Sequence, residues 1–485
     1  RAGVLKDWST QFGFTQLELG AITGGGLVGF GVVILLASLI TDHVGYKKLL
    51  VAAFILHVLS AVVTLAATPI FNASDSKDAT YWCLYIGMFM FAVANGLCEA
   101  VINPLTATLY PTQKTHYLNI LHAGWPGGLI LGGLIGYFIV GRGDVAWEIP
   151  MALFLIPTAI YGLMIFGARF PISEARAAGV GYGEMLVQLA SPILLFLLVL
   201  HACVGYVELG TDSWITNITN SILTGQGFLL FIYAASIMFV LRFFAGPIVE
   251  KINPLGLLFS SACVACLGLV LLGTVGGMFL WVAVTVYGLG KTFFWPTMLG
   301  VVGERFPRGG AITMGAMGGV GMLSAGLLGG PAIGYKQDYY ASASLKEASA
   351  PAYERYAAAE EKAFGPFPKI RGLDGAKVGV LLDENGPAAG LQSEVKILKD
   401  QGTQLKAIDD LDAWWNGEAK EHAETDKAPV SDARIHGGHM ALLWTAVVPA
   451  FMALGYLLLL LYFRATGGYK QVELSTQAED TEGGG

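Results

Sequence analysis

The sequence predicts an all-α membrane protein made of two related helical halves, and three observations carry that prediction. First, 54% of the 485 residues are hydrophobic and only 13% are charged, against roughly 25% charged in soluble domains. Second, apolar runs of about 20 residues recur along the chain, the length at which a helix crosses the hydrocarbon core. Third, Gly96-Leu97-Cys98-Glu99-Ala100-Val101-Ile102-Asn103-Pro104 recurs as Gly288-Leu289-Gly290-Lys291-Thr292-Phe293-Phe294-Trp295-Pro296. Glycine, leucine and proline superpose, while Glu99 and Lys291 share one position with opposite sign. A mid-membrane charge costs about 2.5–3.5 kcal/mol on insertion scales, so it is usually paired or faces a polar cavity. The same position charged in both halves points to a substrate path at the repeat interface.

Eleven apolar runs lie near 16–41, 48–69, 80–110, 115–140, 149–170, 190–218, 225–247, 255–275, 278–303, 311–335 and 438–463. None resembles a cleavable signal peptide. The odd count, with a start at Arg1 in a polar turn, predicts one more helix upstream. The intact protein would then have twelve helices, six per half, with the first largely missing here. Loops on one side carry Lys47, Lys48, Lys114, Arg169, Arg176, Arg242, Lys251, Arg305, Arg308, Arg464 and Lys470. The short loops on the other side carry Arg1, Lys6, Lys77 and Arg142. The positive-inside rule makes the first side cytoplasmic.

The expected organisation follows. Residues 1–170 hold the first bundle (helices 2–6), 171–189 a cytoplasmic linker and 190–335 the second bundle (helices 7–11). Residues 336–437 form an extracytoplasmic insertion, 438–464 the last membrane helix and 465–485 a cytoplasmic tail, disordered after Tyr469. Within the insertion, Asp338–Ala363 and Ser393–Trp415 read as amphipathic helices and Ala376–Asp383 as a short strand. The net charge of −7 reflects acids in this insertion and the tail, and no basic tract points to nucleic acid. The five cysteines all lie in apolar runs. Cys263 and Cys266 form a C-x-x-C without a second ligand pair, which reads as two packing thiols rather than a metal site.

The loop after the first visible helix reads Ser38-Leu39-Ile40-Thr41-Asp42-His43-Val44-Gly45-Tyr46-Lys47-Lys48. Its counterpart reads Gly246-Pro247-Ile248-Val249-Glu250-Lys251-Ile252-Asn253-Pro254. A small residue, an acid four later, then a base and a turn residue resemble the loop between helices two and three of the major facilitator superfamily. The small residue allows close helix approach, and the acid can accept from a neighbouring helix N-terminus. Asp42, Lys47, Glu250 and Lys251 are therefore candidate gating or latch residues. The alternative is an ordinary cytoplasmic turn.

Glu99-x-x-x-Asn103-Pro104, followed by Tyr117-Leu118-Asn119-Ile120-Leu121-His122, is similar to the fucose/glucose/galactose:proton symporter branch of that superfamily. Val204-Gly205-Tyr206-Val207-Glu208 resembles the branch's seventh helix, and Gly288–Pro296 its tenth. The resemblance covers nearly all of the membrane part and none of the insertion. It implies a major facilitator fold of two six-helix bundles, with eleven complete helices in this chain. It also makes Glu99 the candidate proton-coupling residue. An apolar setting disfavours a charged carboxylate, so protonation becomes accessible near neutral pH. Asn103 lies one turn away on the same face and can bond a sugar hydroxyl. Pro104 breaks the backbone ladder and frees a carbonyl. Glu99 as a structural ion-pair partner is the alternative.

Lys291 departs from the family, which tends to carry an uncharged polar residue there. Pseudo-symmetry places it opposite Glu99, where a salt bridge would resist protonation. Three readings stay open: a charge-compensated uniporter, a symporter whose substrate breaks the pair, or a carrier of an anionic sugar bound by Lys291. The other substrate-binding candidates are Asn103, His122, Trp125, Glu208 and Trp295. His122 reads equally as a core histidine. Glu208 and Asp212 lie one turn apart in an apolar run, so one face there should be wet. Trp125, Trp214 and Trp295 offer aromatic platforms for a pyranose or are packing residues.

No Walker loop, metal cluster or nucleophile–base set occurs in the sequence, so no enzyme, metal or cofactor is expected. The expected function is ion-coupled import of a monosaccharide across the cell (inner) membrane by alternating access. The partners are a small-molecule substrate, a proton or sodium ion and the lipid bilayer, with the protein as a monomer. The rivals are a carrier of sugar acids or other small solutes, an exporter, and a non-transporting membrane sensor.

Overall fold

The computed structural model describes residues 26–74, 76–139, 145–400 and 406–474, with Val4, Asp7, Trp8, Gln11, Phe12, Phe14, Leu19 and Ile22. The start of the first apolar run, Arg1, Lys6, Arg142 and the tail from 475 lie outside these residues.

The first half contributes α1 (Gly26–Val44), α2 (Tyr46–Leu65), α3 (Lys77–Leu109), α4 (Lys114–Ile139) and α5 (Leu155–Gly167). Local chemistry sets their ends. Gly45 takes φ 92° between α1 and α2, a conformation that favours glycine. Ser76 caps α3 by accepting from Ala79 N at 3.2 Å, with Asp78 in the first turn where the helix dipole favours an acid.

The second half contributes α6 (Pro192–Gly205), α7 (Thr211–Ile222), α8 (Gly227–Arg242), α9 (Ala245–Leu272), α10 (Phe279–Lys291), α11 (Phe294–Arg305) and α12 (Gly310–Ser324). α9 bends at Asn253 (φ 56°, ψ 169°). Asn253 Oδ1 accepts from Gly256 N at 3.0 Å, so it caps the segment that starts with Pro254. The turns before Asn253 continue the path of α8. A Cβ on Gly133 would meet Ile232, one on Gly127 would meet Phe239, and Gly246 packs on His116. α8 and the start of α9 thus run antiparallel to α4 along its length. Arg242, expected in a loop, lies mid-span and is 1% exposed. The expected run 225–247 already contained Arg242, so the structure corrects its place among the loop charges.

Among the described residues, eight helices are long and apolar enough to cross a membrane, and two shorter apolar ones are Val28–Val44 and Gly227–Arg242. The remaining expected span is the pair α10 and α11, interrupted next to Pro296.

α6 and α7 are joined by a π-helical segment, Tyr206–Gly210, and α12 continues through another, Ala325–Gly329, into α13 (Gly330–Ala348). The two paths cross at glycines. A Cβ on Gly205 would lie 2.0 Å from Gly321 O, and one on Gly210 would lie 2.7 Å from Gly329 Cα. Small residues let the backbones approach this closely.

The insertion departs from expectation in four ways. The helix α13 passes residue 336 without a break. α18 (Ala423–Thr445) starts well before the expected last span and leads into α19 (Val447–Ala465). α13 and α18 pack as a pair, Gly437 against Gln337 O and Ala341, with Lys336 Nζ donating to Thr445 Oγ1 at 2.6 Å. The stretch expected as a strand is α15 (Gly375–Leu381). It follows α14 (Ala350–Tyr356) and precedes α16 (Ala389–Asp400) and α17 (Lys406–Trp414). Asp374 caps α15, accepting from Ala376 N and Lys377 N at 2.9 and 3.1 Å. A lone apolar run of strand length cannot be told from a buried helical turn by pattern alone. The expected helix Asp338–Ala363 ends at Tyr356, and two isolated bridges follow, Ala357 with Leu373 and Lys362 with Ile370. The insertion has its own core around Leu345, Tyr356, Leu381, Trp414, Trp415 and Val430. Arg355 grips Asp426 through two bonds of 2.8 and 2.6 Å.

Residues 469–474, expected as disordered tail, cross the Asp42 end of the bundle. Tyr469 Oη donates to Glu304 at 2.7 Å and Val472 N to Glu304 O at 2.8 Å.

Candidate functional site

Between the two halves lies a cavity of about 180 Å³, lined by Phe30, Asn95, Cys98, Glu99, Ile102, His122, Trp125, Glu208, Leu209, Arg242, Trp295 and Met322. A liquid-water molecule occupies about 30 Å³, so the space suits a small solute. α1, α3 and α4 supply one wall; the segment after α6, α8, α11 and α12 supply the other.

The Glu99 side is a relay of neutral donors. Asn103 lies four residues after Glu99, so both share one face of α3. Asn103 Nδ2 donates to Glu99 Oε1 at 2.9 Å. His122 Nε2 lies 2.9 Å from Asn103 Oδ1; that oxygen can only accept, which makes Nε2 the protonated nitrogen. The imidazole stays 3.9 Å from Glu99 Oε1. The Trp295 side chain borders the same carboxylate and rests on His201, ring centroids 4.6 Å apart. Asn103 stands behind the cavity wall and acts on it through Glu99 and His122.

The Glu208 side is ionic. Arg242 Nη2 donates to Glu208 Oε1 at 3.0 Å. Glu208 Oε2 is buried with no hydrogen-bond partner among the described residues. Lys291 does not face Glu99. It pairs with Asp212, beside the Tyr287 ring at 5.4 Å, and lies outside the cavity lining. This corrects the expected Glu99–Lys291 bridge. The reason is geometric: α10 ends at Lys291, and its side chain turns toward the start of α7 instead of across to α3. Asp212, one turn from Glu208, is the half-buried partner of that pair. Trp214 gives its indole N–H to Gly330 O at 2.8 Å and serves helix packing. Trp125 and Trp295 remain on the cavity.

At the Asp42 end the halves are tied together. Asp42 Oδ2 accepts from Ala311 N, in the first turn of α12, at 2.9 Å. Thr115 Oγ1 donates to Glu304 at 2.5 Å, Asn119 Nδ2 to Thr297 Oγ1 at 3.2 Å, and Lys114 Nζ to Gly303 O at 3.0 Å. Lys47 bonds the carbonyls of Phe166 and Ala168, inside its own half. In the matching loop, Gly246 N donates to His116 Nδ1 at 3.0 Å. Glu250 and Lys251 are exposed, and neither makes a hydrogen bond or ion pair among the described residues.

Sequence reasoning missed Arg242 and His201 as site residues. The available signal was an arginine inside a run that is apolar on both sides, from 227 to 241 and again from 243 to 245.

The sequence profile of the Major Facilitator Superfamily matches residues 2–330. Direct sequence comparison with curated proteins gives no match. Among solved structures, the chain is similar to the E. coli fucose:proton symporter FucP, at 18% identity and a TM-score of 0.57, over 69% of this chain and 88% of that one. It is similar to the proton:xylose symporter XylE bound to 6-bromo-6-deoxy-D-glucose, at 15% identity and a TM-score of 0.55, over 68% and 82%. It is also similar to a bacterial homolog of the human lysosomal transporter Spinster in an inward-facing, occupied conformation, at 13% identity and a TM-score of 0.50, over 94% and 91%. Identities this low speak for the fold alone. The profile, by contrast, spans well over half of the chain and includes both walls of the cavity: the chain belongs to the Major Facilitator Superfamily.

Proposed function

We propose that this chain is a secondary active transporter that imports a monosaccharide by alternating access, driven by protons taken up at Glu99. One observation carries the reading. Among the described residues Glu99 meets neutral donors alone, while the two buried cations beside the cavity, Arg242 and Lys291, each have their own carboxylate. A carboxylate without a fixed cation can cycle a proton, whereas one held in a salt bridge resists it. The fold relatives named above include proton symporters of fucose and xylose. The aromatic faces of Trp125 and Trp295, with His122 and the free Glu208 oxygen, supply a platform and convergent polar groups for a neutral sugar ring. A sugar acid is less well served, since both cations are already neutralised.

In this proposal the Asp42 end is cytoplasmic, as the loop charges indicate. The Asp42–Ala311 bond is the gate on that side, and Lys47 braces the first half behind it. Glu250 and Lys251 take partners in the opposite state.

The test is transport in proteoliposomes, with sugars first screened by thermal shift. Glu99→Gln keeps shape and hydrogen bonding but carries no exchangeable charge. It should abolish proton-driven accumulation and leave counterflow of labelled sugar intact. Accumulation that survives in Glu99→Gln would refute coupling at this residue. A wild-type protein that exchanges no sugar at all would favour the sensor or another solute.

A further inference from the structure

Arg242 is buried and makes three hydrogen bonds among the described residues, and its acceptors share a feature. Nε donates to Thr292 O at 2.8 Å, Nη1 to His122 O at 2.6 Å and Nη2 to Glu208 Oε1 at 3.0 Å. In a continuous helix, the carbonyl of residue i−4 accepts from the N–H of residue i. Four residues beyond His122 is Pro126, and four beyond Thr292 is Pro296. Neither proline has an N–H to give. The two backbone oxygens that Arg242 holds are therefore the two that these prolines leave without a helical donor. One belongs to α4 in the first half, the other to the α10–α11 break in the second.

This arrangement has a mechanical meaning. A buried guanidinium is tolerated only when its donors are matched. Here that requires α4, α8 and the α10–α11 break to stay together. Any rocking that parts the halves at the level of His122 must break the Nη1 bond, a charge-assisted bond of roughly twice the strength of a neutral one. The carbonyl that Arg242 grips also belongs to the residue whose imidazole orders Asn103 against Glu99. Closure of the cavity and the Glu99 relay thus meet at a single residue.

We propose that Arg242 is an inter-bundle strut, that Pro126 and Pro296 build its two backbone acceptors, and that its release accompanies opening of the cavity toward the Asp42 end. The motion rests on the transporter reading; the sugar and the proton do not enter. Arg242 is a positioning residue whose effect is on the balance between closed and open forms.

The experiment measures that balance directly, without substrate, on the full chain in nanodiscs. Spin labels at Thr112 and Ile252, exposed positions on the two halves at the Asp42 end, report closed and open populations by pulsed electron resonance. Arg242→Lys keeps a cation for Glu208 but is a point donor that cannot span both carbonyls. It should raise the open-to-closed ratio at least tenfold. Pro126→Ala with Pro296→Ala returns to each carbonyl an N–H that competes with Arg242 and weakens its bonds, so this pair should shift the ratio in the same direction by itself. Arg242→Lys added to that background should then change the ratio by less than twofold. An unchanged distance distribution in Arg242→Lys or in the proline pair overturns the proposal. So does an Arg242→Lys shift of equal size with and without the prolines. Loss of sugar transport or of Glu99 coupling in the earlier assay leaves this outcome unaffected, so the two readings fail separately.

Discussion

Lys291 and Asp212 offer the most direct test of how charge is arranged in this protein. The lysine side chain is 3% exposed and the aspartate 14%, so neither ion is solvated by bulk water. Lys291→Met would leave the carboxylate without its cation. Breaking a buried pair from one side costs about 3–5 kcal/mol, and loss of the Tyr287 ring contact adds about 0.5–2 kcal/mol. Removing both charges with Asp212→Leu and Lys291→Met eliminates the uncompensated ion and should be near neutral. The coupling between the two positions is therefore expected at about 3 kcal/mol or more, over a hundredfold in the folded-to-unfolded ratio. Equilibrium denaturation of the four corners of this cycle in detergent reads it. Additivity of the single variants within about 0.5 kcal/mol would mean that the pair does not form. A second readout separates this pairing from the symmetric one. Lys291→Asn should leave the pH profile of transport in place, because the ammonium contacts Asp212 and not Glu99. An upward shift of the pH optimum would put Lys291 on Glu99 and refute the assignment.

Other consequences are equally open to measurement. Asp42→Asn removes a charge from the N-terminus of α12, an interaction worth about 0.3–2 kcal/mol, and should raise solvent accessibility of a cysteine on the cavity wall from the Asp42 side. Gly205→Ala forces a methyl onto the Gly321 backbone and should lower stability by about 1–3 kcal/mol, whereas Gly124→Ala, with nothing within 4 Å, should not; equal effects would place the helix crossing elsewhere. A cysteine at Ser393, on a cysteine-free background, should react with an impermeant maleimide in intact cells; reaction only after permeabilisation would put the insertion on the cytoplasmic side. Burial raises the Glu394 carboxyl above its ordinary range. The folded insertion therefore favours its protonated form, and stability falls as pH rises through that range. Glu394→Gln should slow hydrogen exchange in the insertion at pH 7 and lose that advantage near pH 4.

The sequence alone determined what depends on local spacing. Run length and composition marked the membrane spans, and the nine-residue repeat marked Glu99, which lines the cavity, and Lys291, which lies outside the lining. Glu99 and Asn103, four apart on one helix, had to share a face; that His122 reaches Asn103 was decided by packing. Pairing of charges was decided only by tertiary structure. Arg242 meets Glu208 across 34 positions and Lys291 meets Asp212 across 79, and one-dimensional symmetry suggested a different partner for Lys291. Periodicity fixes the face of a helix on which a side chain lies, but not the angle and depth at which another helix crosses it. Those follow from close packing, here from Gly205 on Gly321 and Gly210 on Gly329. The bend at Asn253 likewise extended the α8 path past Arg242 and moved that arginine from an expected loop to the middle of the protein. A buried ion takes the nearest countercharge that packing offers, because leaving it unpaired in a low-dielectric interior costs more than any local preference can offset.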